Sequence, residues 1–369
     1  MTKVIPVSKP AIGVSEVLRV LKTLGRGEIS GLVGNEISKF ENRFADFVGT
    51  EHAIACSSGT AALHLSLAGL GLGKGDEVLV SDTTNMASFF AVLYTGATPV
   101  PVDIDGSSLT MNPDDLSQKV TTNTRAIMPV HLFGQPCNMS AIVQVAQKHK
   151  LHIIEDCAEA HGASFGGKKV GSFGLAGCFS FFANKIVTTG EGGMVTTNDS
   201  SFAAELRALR SLNFGTGEQR FQHLGIGYNY RMTNLQASIG LAQMQKVEWL
   251  IESRRQVEST YKEVLEGTSI TWQEPVSLEA EPVTWMSHFA APSQNRRNFL
   301  ASSLATLGIQ TRPGFVPYSL QDESWRPSAT QGNSTAVDFA HRTMYLPTWS
   351  GMPQKKAKWI ADSVLKILE

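Results

Sequence analysis

Cys178-Phe-Ser-Phe-Phe-Ala-Asn-Lys185-Ile-Val-Thr-Thr-Gly-Glu-Gly-Gly-Met-Val195 is the stretch whose reading decides the fold. An aromatic, β-prone run over 178–182 delivers one lysine into a Thr/Gly-rich loop, and Gly192-Gly-Met-Val-Thr-Thr197 resumes as a second strand. Lys185 is thereby placed at a strand end, with apolar residues on the side from which it enters. An ammonium held there loses hydration, which lowers its pKa and frees a nucleophilic amine able to form a Schiff base. A hairpin whose lysine snorkels to solvent accounts for the same residues, so the rest of the chain has to separate the two readings.

Upstream of this stretch, strand and helix signals alternate. Residues 53–56 read as a strand breaking into the small-residue turn Ser57-Ser58-Gly59-Thr60, followed by an apolar helix over 61–70. Strands over 77–80, 98–102, 125–132 and 152–156 then alternate with helices over 86–95, 113–120 and 139–149. This pattern predicts an α/β fold whose large domain holds a mainly parallel mixed sheet. Two helices precede it, over 15–24 and over 36–48, the second with Ile37, Phe40, Phe44 and Phe47 on one face. Downstream come a helix over 201–212 and one long helix over 235–255 that leads out of the large domain. The remainder reads as a smaller C-terminal α+β domain, with strands over 283–291 and 309–312 and helices over 294–307 and 355–368. The expected division is 1–248 for the N-terminal segment and large domain, and 249–369 for the small domain.

The 369 residues carry a formal net charge of −1 with scattered basic positions, which gives no reason to expect nucleic acid or an anionic membrane as partner. The N-terminus has no apolar run of signal-peptide type and no later stretch approaches the ~20 apolar residues of a membrane span, so a cytoplasmic protein is expected. Cys56, Cys137, Cys157 and Cys178 stand singly, without CxxC spacing, which disfavours a zinc site or a disulfide framework and predicts buried, reduced thiols.

Three places carry chemistry. Ser57-Ser58-Gly59-Thr60 sits between strand and helix, where backbone N–H groups and the positive helix end receive a phosphate; an ordinary N-cap fits the same residues. Gly69-Leu-Gly71-Leu-Gly73-Lys-Gly75 follows a helix and lacks GxGxxG spacing, so it reads as a helix stop and disfavours a nicotinamide oxidoreductase. His152-Ile-Ile-Glu155-Asp156-Cys-Ala-Glu159-Ala-His161 puts carboxylates at the C-terminal end of an apolar strand, where open α/β sheets bind ligands. A buried carboxylate there needs a cationic partner such as a protonated ring nitrogen. In the alternative, Asp156 caps the next turn while Glu155 and Glu159 are solvated. His131 is expected to hydrogen-bond locally in the sheet rather than bind metal. Phe179, Phe181 and Phe182 are expected in the core, and Trp272, Trp285, Trp325, Trp349 and Trp359 in the packing of the small domain.

Ser58-Gly59-Thr60-Ala-Ala-Leu, the Glu155–His161 cluster with Gly-Ala after it, Phe179-Ser180-Phe-Phe-Ala-Asn-Lys185 with Gly190-Glu-Gly-Gly193, and Gly227-Tyr-Asn229-Tyr-Arg231-Met resemble the DegT/StrS family of sugar aminotransferases. The match runs in order from Pro6 to about Gln245 and more loosely to the C-terminus. The resemblance implies a fold-type I transferase dependent on pyridoxal 5'-phosphate (PLP). In that family Lys185 would hold PLP and shuttle protons, and Asp156 would pair with the pyridinium nitrogen. Gly59, Thr60 and Ser180, with Ser58 beside them, would bind the phosphate, joined by Asn229 from the second subunit of a homodimer. Glu159 would stand near the ring hydroxyl, while Arg231 and the segment Thr311-Arg312-Pro313-Gly-Phe-Val-Pro317 would line the sugar side; outside the resemblance Arg231 and Arg312 fit surface ion pairs equally well.

Two departures fall around the pocket. The family usually places an aromatic residue over the PLP ring where this chain has Asn85, followed by Met86, and a Pro-Leu-His where it reads Pro317-Tyr318-Ser319. The implied activity is transfer of an amino group from L-glutamate to a keto-sugar, for a cell-surface polysaccharide or glycoside. The sugar is expected to be a nucleotide-linked 4-keto-6-deoxy sugar, with a free keto-sugar acid as the other possibility. A PLP-dependent sugar dehydratase is the nearest rival, opposed by Lys185 because relatives that dehydrate have histidine there. A non-catalytic regulator on the same fold is the rival from another class.

Overall fold

Short runs of aliphatic and β-branched residues, each closed by a polar or small one, build the central sheet. The computed structural model describes residues 4–31, 33–326 and 333–369. Strands β1 (His52–Cys56), β2 (Glu77–Ser81), β3 (Thr98–Val102), β4 (Thr124–Met128) and β5 (His152–Asp156) come first in the chain. They are followed by β6 (Ser164–Phe165), β7 (Lys168–Lys169), β8 (Ala176–Ser180) and β9 (Gly193–Thr197). Seven of these form one sheet in the order β1-β9-β8-β5-β4-β2-β3. From β8 to β3 the strands are parallel, and β9 runs antiparallel to both β1 and β8. The sheet is therefore mixed and mainly parallel, as the alternating pattern predicts.

Helices cover both faces, which is why the strand interiors are continuously buried. On one side α3 (Gly59–Gly69), α4 (Ala87–Thr95) and α7 (Ser200–Arg210) pack a core containing Ile54, Leu63, Val80, Phe89 and Ile154. On the other, α2 (Glu36–Val48) and α8 (Asn234–Met244) bury Phe40, Phe44, Phe179, Phe181 and Leu241. Further along that face, α5 (Pro113–Lys119) and α6 (Met139–His149) bury Leu116 and Ile142 with Leu79, Ile127 and Ile153. Helix α1 (Val14–Gly25) lies against α8.

The C-terminal part has its own core and its own antiparallel sheet. Strands β10 (Thr271–Trp272), β12 (His288–Ala290), β14 (Thr343–Tyr345) and β13 (Arg312–Pro313) pair in that order, while β11 (Ala280–Glu281) joins β6. Helices α9 (Val247–Val264), α10 (Gln294–Thr306) and α12 (Gln354–Leu368), with α11 (Ser334–Arg342) alongside, complete it around Tyr261, Phe289, Leu300 and Ile360. Helix α9 serves two cores, with Val247, Leu250 and Ile251 in the core under α8 and Val257 and Tyr261 in the C-terminal one.

Four elements differ from the sequence expectation. The helix expected over 235–255 is two, broken at Lys246, whose φ of −125° leaves the helical region and whose Nζ lies 2.7 Å from Glu16 Oε1. The strand expected over 125–132 stops at Met128, and Leu132–Gly134 forms a 3₁₀ turn with Phe133 at φ +56°. The strand expected over 283–291 shrinks to His288–Ala290, because the Val283 and Trp285 N–H groups donate instead to the carbonyls of Gly134 and Phe133. Over 309–312, Ile309 bridges Ile5 and only Arg312 pairs with β14. The four cysteines are buried free thiols, as expected. Among the described residues no helix is long and apolar enough to cross a membrane.

Candidate active site

Parallel strands end where their helices begin, and the ends of β5 and β8 open onto the N-terminus of α3. At the end of β5, Asp156 is buried; its Oδ2 accepts the Ser88 hydroxyl at 2.7 Å and its Oδ1 the Ala158 N–H at 3.0 Å. Three residues on, Glu159 Oε2 accepts the Phe133 N–H at 2.9 Å, and its Oε1 faces Lys185 Nζ at 3.6 Å. The left-handed Phe133 is what turns that N–H toward the carboxylate.

Lys185 lies in a tight turn after β8. Its own N–H donates to the Phe182 carbonyl, and Thr188 and Thr189 tie the loop back to the Phe181 carbonyl. The side chain is 11 % exposed, with Nζ 4.2 Å from the centroid of the Trp285 ring. Burial lowers the Lys185 pKa, opposed by the Glu159 and Asp156 carboxylates, and raises that of Glu159 to about 7, opposed by Lys185 and the Phe133 N–H. Both shifts favour an uncharged pair, a free amine beside a carboxylic acid.

A cavity of about 280 Å³ joins these groups to the start of α3, lined by Ser58, Gly59, Thr60, Asn85, Asp156, Glu159, Ser180 and Lys185, together with Trp285, Phe315 and Tyr345. Ser58 caps α3 by accepting the Ala61 N–H, and Gly59 and Thr60 present the first N–H groups of the helix, which no intrahelical carbonyl reaches. A Cβ on Gly59 would lie 2.7 Å from Ser180 Cβ, so the glycine keeps this anion cradle open. A flat phosphorylated aldehyde with a basic ring nitrogen needs an anion cradle, a carboxylate and an amine, and one cavity supplies all three. PLP fits this donor set.

The comparisons agree with that fit. Residues 10–365 match the model of the DegT/DnrJ/EryC1/StrS aminotransferase family. The chain belongs to this family. It is 42% identical to the GDP-perosamine synthase of Caulobacter vibrioides, over 95% of this chain and 94% of that protein. It is 39% identical to the GDP-perosamine synthase of Escherichia coli O157:H7, over 98% of each. Among solved structures it superposes on Streptomyces venezuelae DesV in complex with a ketimine intermediate, with a TM-score of 0.89 at 33% identity, over 96% of this chain and 94% of that one. The protein is a PLP-dependent sugar aminotransferase with the family's α/β fold, moving an amino group to a keto-sugar.

Within this aminotransferase, Asn229, Arg231 and Arg312 stand outside the cavity lining. Asn229 is exposed and bridges Ser211, and Arg312 lies on β13 opposite Tyr345. Tyr318 is not at the cavity either: it is fully buried, stacked on Phe89 at 4.2 Å, while the Ser319 hydroxyl bonds the buried Asp82. Three readings need correction. Trp285, expected only to pack the small domain, forms a cavity wall; its Nε1 donates to the Asn184 carbonyl at 3.1 Å. Phe182, expected in the core, is 44 % exposed and lines the cavity, unlike the buried Phe179 and Phe181. Glu155 is not solvated, and its two oxygens accept the N–H groups of Gly171, Phe173 and Gly174 and bond His131 Nε2. His131, Glu155 and Cys157 cluster within 4.8 Å, but those bonds fill the carboxylate, and His131 Nδ1 accepts the Cys137 N–H.

Tyr345 and Glu191 were not anticipated from sequence, whereas Phe315 lies in the 311–317 segment expected on the sugar side. Tyr345 comes from the C-terminal part and reaches the cavity only through tertiary packing, so no local signal marks it.

Proposed function

We infer that the amino donor is L-glutamate, that the acceptor is a nucleotide-linked 4-keto-6-deoxy sugar, and that two copies of the chain share their active sites. The observation that carries this reading is the meeting of Lys185 with Glu159 and Asp156 in one cavity beside the open N-terminus of α3. The relatives named as GDP-perosamine synthases support the nucleotide-linked sugar. PLP, when bound, supplies the electron sink that makes a carbon–hydrogen bond next to nitrogen acidic. Ser58, Gly59, Thr60 and Ser180 would hold its phosphate, and Asp156 would pair with its ring nitrogen. Lys185 Nζ, whose hold on its proton burial weakens, would take the proton from the substrate carbon and return it on the acceptor side. Glu159 keeps that amine oriented, and the walls of Trp285 and Phe315 exclude water.

A shared site is supported by the segment around Asn229, where Phe221 and Ile226 are each 86 % exposed. In this reading Asn229 reaches the partner's phosphate cradle, and Arg231 and Arg312 contact the sugar nucleotide. The dehydratase alternative lacks its histidine, since Lys185 occupies the position and His161 is sealed among Phe44, Phe179 and Phe181. Adding L-glutamate to the purified, PLP-loaded protein should bleach its yellow band and release 2-oxoglutarate, with ping-pong kinetics once a keto-sugar is supplied. The Lys185→Ala variant should retain PLP and lose turnover, and retained turnover would contradict the assignment.

A further inference from the structure

Behind the lysine turn, and outside the cavity lining, lies an arginine that the chemistry above does not use. Arg254 comes from α9 and is 1 % exposed. Its Nη2 donates to the carbonyls of Lys185 at 3.1 Å and Asn184 at 3.2 Å. Its Nη1 donates to the Trp285 carbonyl, and its Nε to the Ser350 hydroxyl at 3.1 Å. Ser350 is fixed in turn by the Leu250 carbonyl at 2.8 Å. Every acceptor is neutral, and among the described residues no carboxylate lies within ion-pair reach of the guanidinium.

An arginine buried without a counter-charge is costly unless a nearby charge distribution repays it. Here burial alone pulls its pKa down to about 9, and four hydrogen bonds to neutral acceptors hold it in place. The same guanidinium joins the two pieces of chain that frame Lys185, because Trp285 and Asn184 are also linked through the indole N–H.

We propose that Arg254 is the positioning residue of Lys185: its guanidinium clamps the main chain of the lysine turn and sets a buried positive charge directly behind the lysine. Planar and forked, a guanidinium does both at once, which neither lysine nor a neutral donor does. The groups facing the Lys185 amine are Glu159 and Asp156 from the end of β5, Glu191 across the cavity, Arg254 from behind and the neutral imidazole of His161, with Tyr345 of β14 near Glu159. Arg254 adds to burial in weakening the hold of Lys185 on its proton.

The inference rests on the assignment of Lys185 as the reactive amine, but its test does not require amino transfer. In the full-length chain freed of PLP, the pH dependence of Lys185 acetylation by a trace amine-reactive reagent, read by mass spectrometry, reports its proton affinity. Arg254→Gln keeps hydrogen-bond donors and removes the charge, and it should shift the labelling midpoint to higher pH by about one unit, a roughly tenfold loss of free amine at fixed pH. Arg254→Lys keeps the charge and loses the fork, and it should leave the midpoint within a few tenths of a unit of the wild type. Circular dichroism establishes folding, and Arg254→Met is the second neutral variant. An unmoved midpoint in the neutral variants overturns the proposal, as does a lysine variant that moves as far as they do. If both neutral variants fail to fold while the lysine variant folds, the charge serves the fold rather than Lys185, and the proposal is likewise overturned. If the midpoints behave as expected but glutamate releases no 2-oxoglutarate, the functional reading fails and the positioning role stands.

Discussion

Lys185 Nζ faces Glu159 Oε1 at 3.6 Å, and among the described residues neither group has another charged partner within ion-pair reach. Two buried groups so placed set each other's protonation. Burial moves Glu159 from 4.5 to about 7, so between those values the folded chain binds more protons than the unfolded one. Stability from this group is therefore present at low pH and lost as pH rises through that window, by on the order of 3 kcal/mol. The Glu159→Gln variant, which keeps an oxygen for the Phe133 N–H, should flatten that slope in urea midpoints recorded from pH 5 to 8. A slope identical to the wild type would show that Glu159 is not the group responsible.

Asp156 is held from two sides, by Ser88 at 2.7 Å and by the Ala158 N–H at 3.0 Å. Asparagine preserves the shape and the oxygen that Ala158 needs while removing the carboxylate. The Asp156→Asn variant should fold with an unchanged melting temperature, bind PLP, and lose about 100-fold or more in kcat, as expected when a fixed charge complementary to the reacting system is removed. Steady-state kinetics beside a thermal melt separate this from simple destabilisation.

The anion cradle proposed at the start of α3 depends on the absence of one side chain. In Gly59→Ala the new Cβ would meet Ser180 Cβ at 2.7 Å and Oγ at 3.1 Å. Relieving that contact displaces either the start of α3 or the end of β8, at a cost of about 1–3 kcal/mol in stability. PLP affinity, followed by fluorescence titration, should fall by about tenfold or more, because the same shift moves the N–H groups that meet the phosphate.

Legibility in the sequence followed the range of the forces involved. Helices α2 and α6 and strands β3 and β5 were readable to the residue, since each is bounded by local punctuation such as Gly49 after α2 and Asn138 before α6. The break at Lys246 was hidden, because the apolar rhythm continues across it and the cause, Glu16, lies far away in the chain. The same holds for the site. Ser58, Gly59, Thr60, Asp156, Glu159, Ser180 and Lys185 converge as their strand-end positions imply. Trp285 and Tyr345 were illegible as cavity walls, because a loop and a short strand with no chemical motif bring them in, whereas Phe315 fell within the 311–317 segment expected on the sugar side. Arg254 looked like any helical arginine until its four neutral acceptors were placed around it.

Asn85 stands where the resemblance to the family leads to the expectation of an aromatic ring over the cofactor. It lines the cavity and is exposed, and its Oδ1 is turned away to accept the Ala87 N–H at 3.0 Å, where it starts α4. The amide thus serves the local turn and offers no flat apolar surface to a ring. The Asn85→Phe variant loses that turn bond, a cost of about 1 kcal/mol, and gains a face for stacking, worth about 0.5–1.5 kcal/mol beyond the area it buries. The stacking gain falls on the PLP-bound form alone, whereas the lost turn bond weakens both forms. The variant should therefore melt slightly lower without PLP while releasing bound PLP about three- to tenfold more slowly. Dissociation followed by the decay of PLP absorbance during dilution measures this. A release rate equal to or faster than that of the wild type would mean that residue 85 does not face the bound ring.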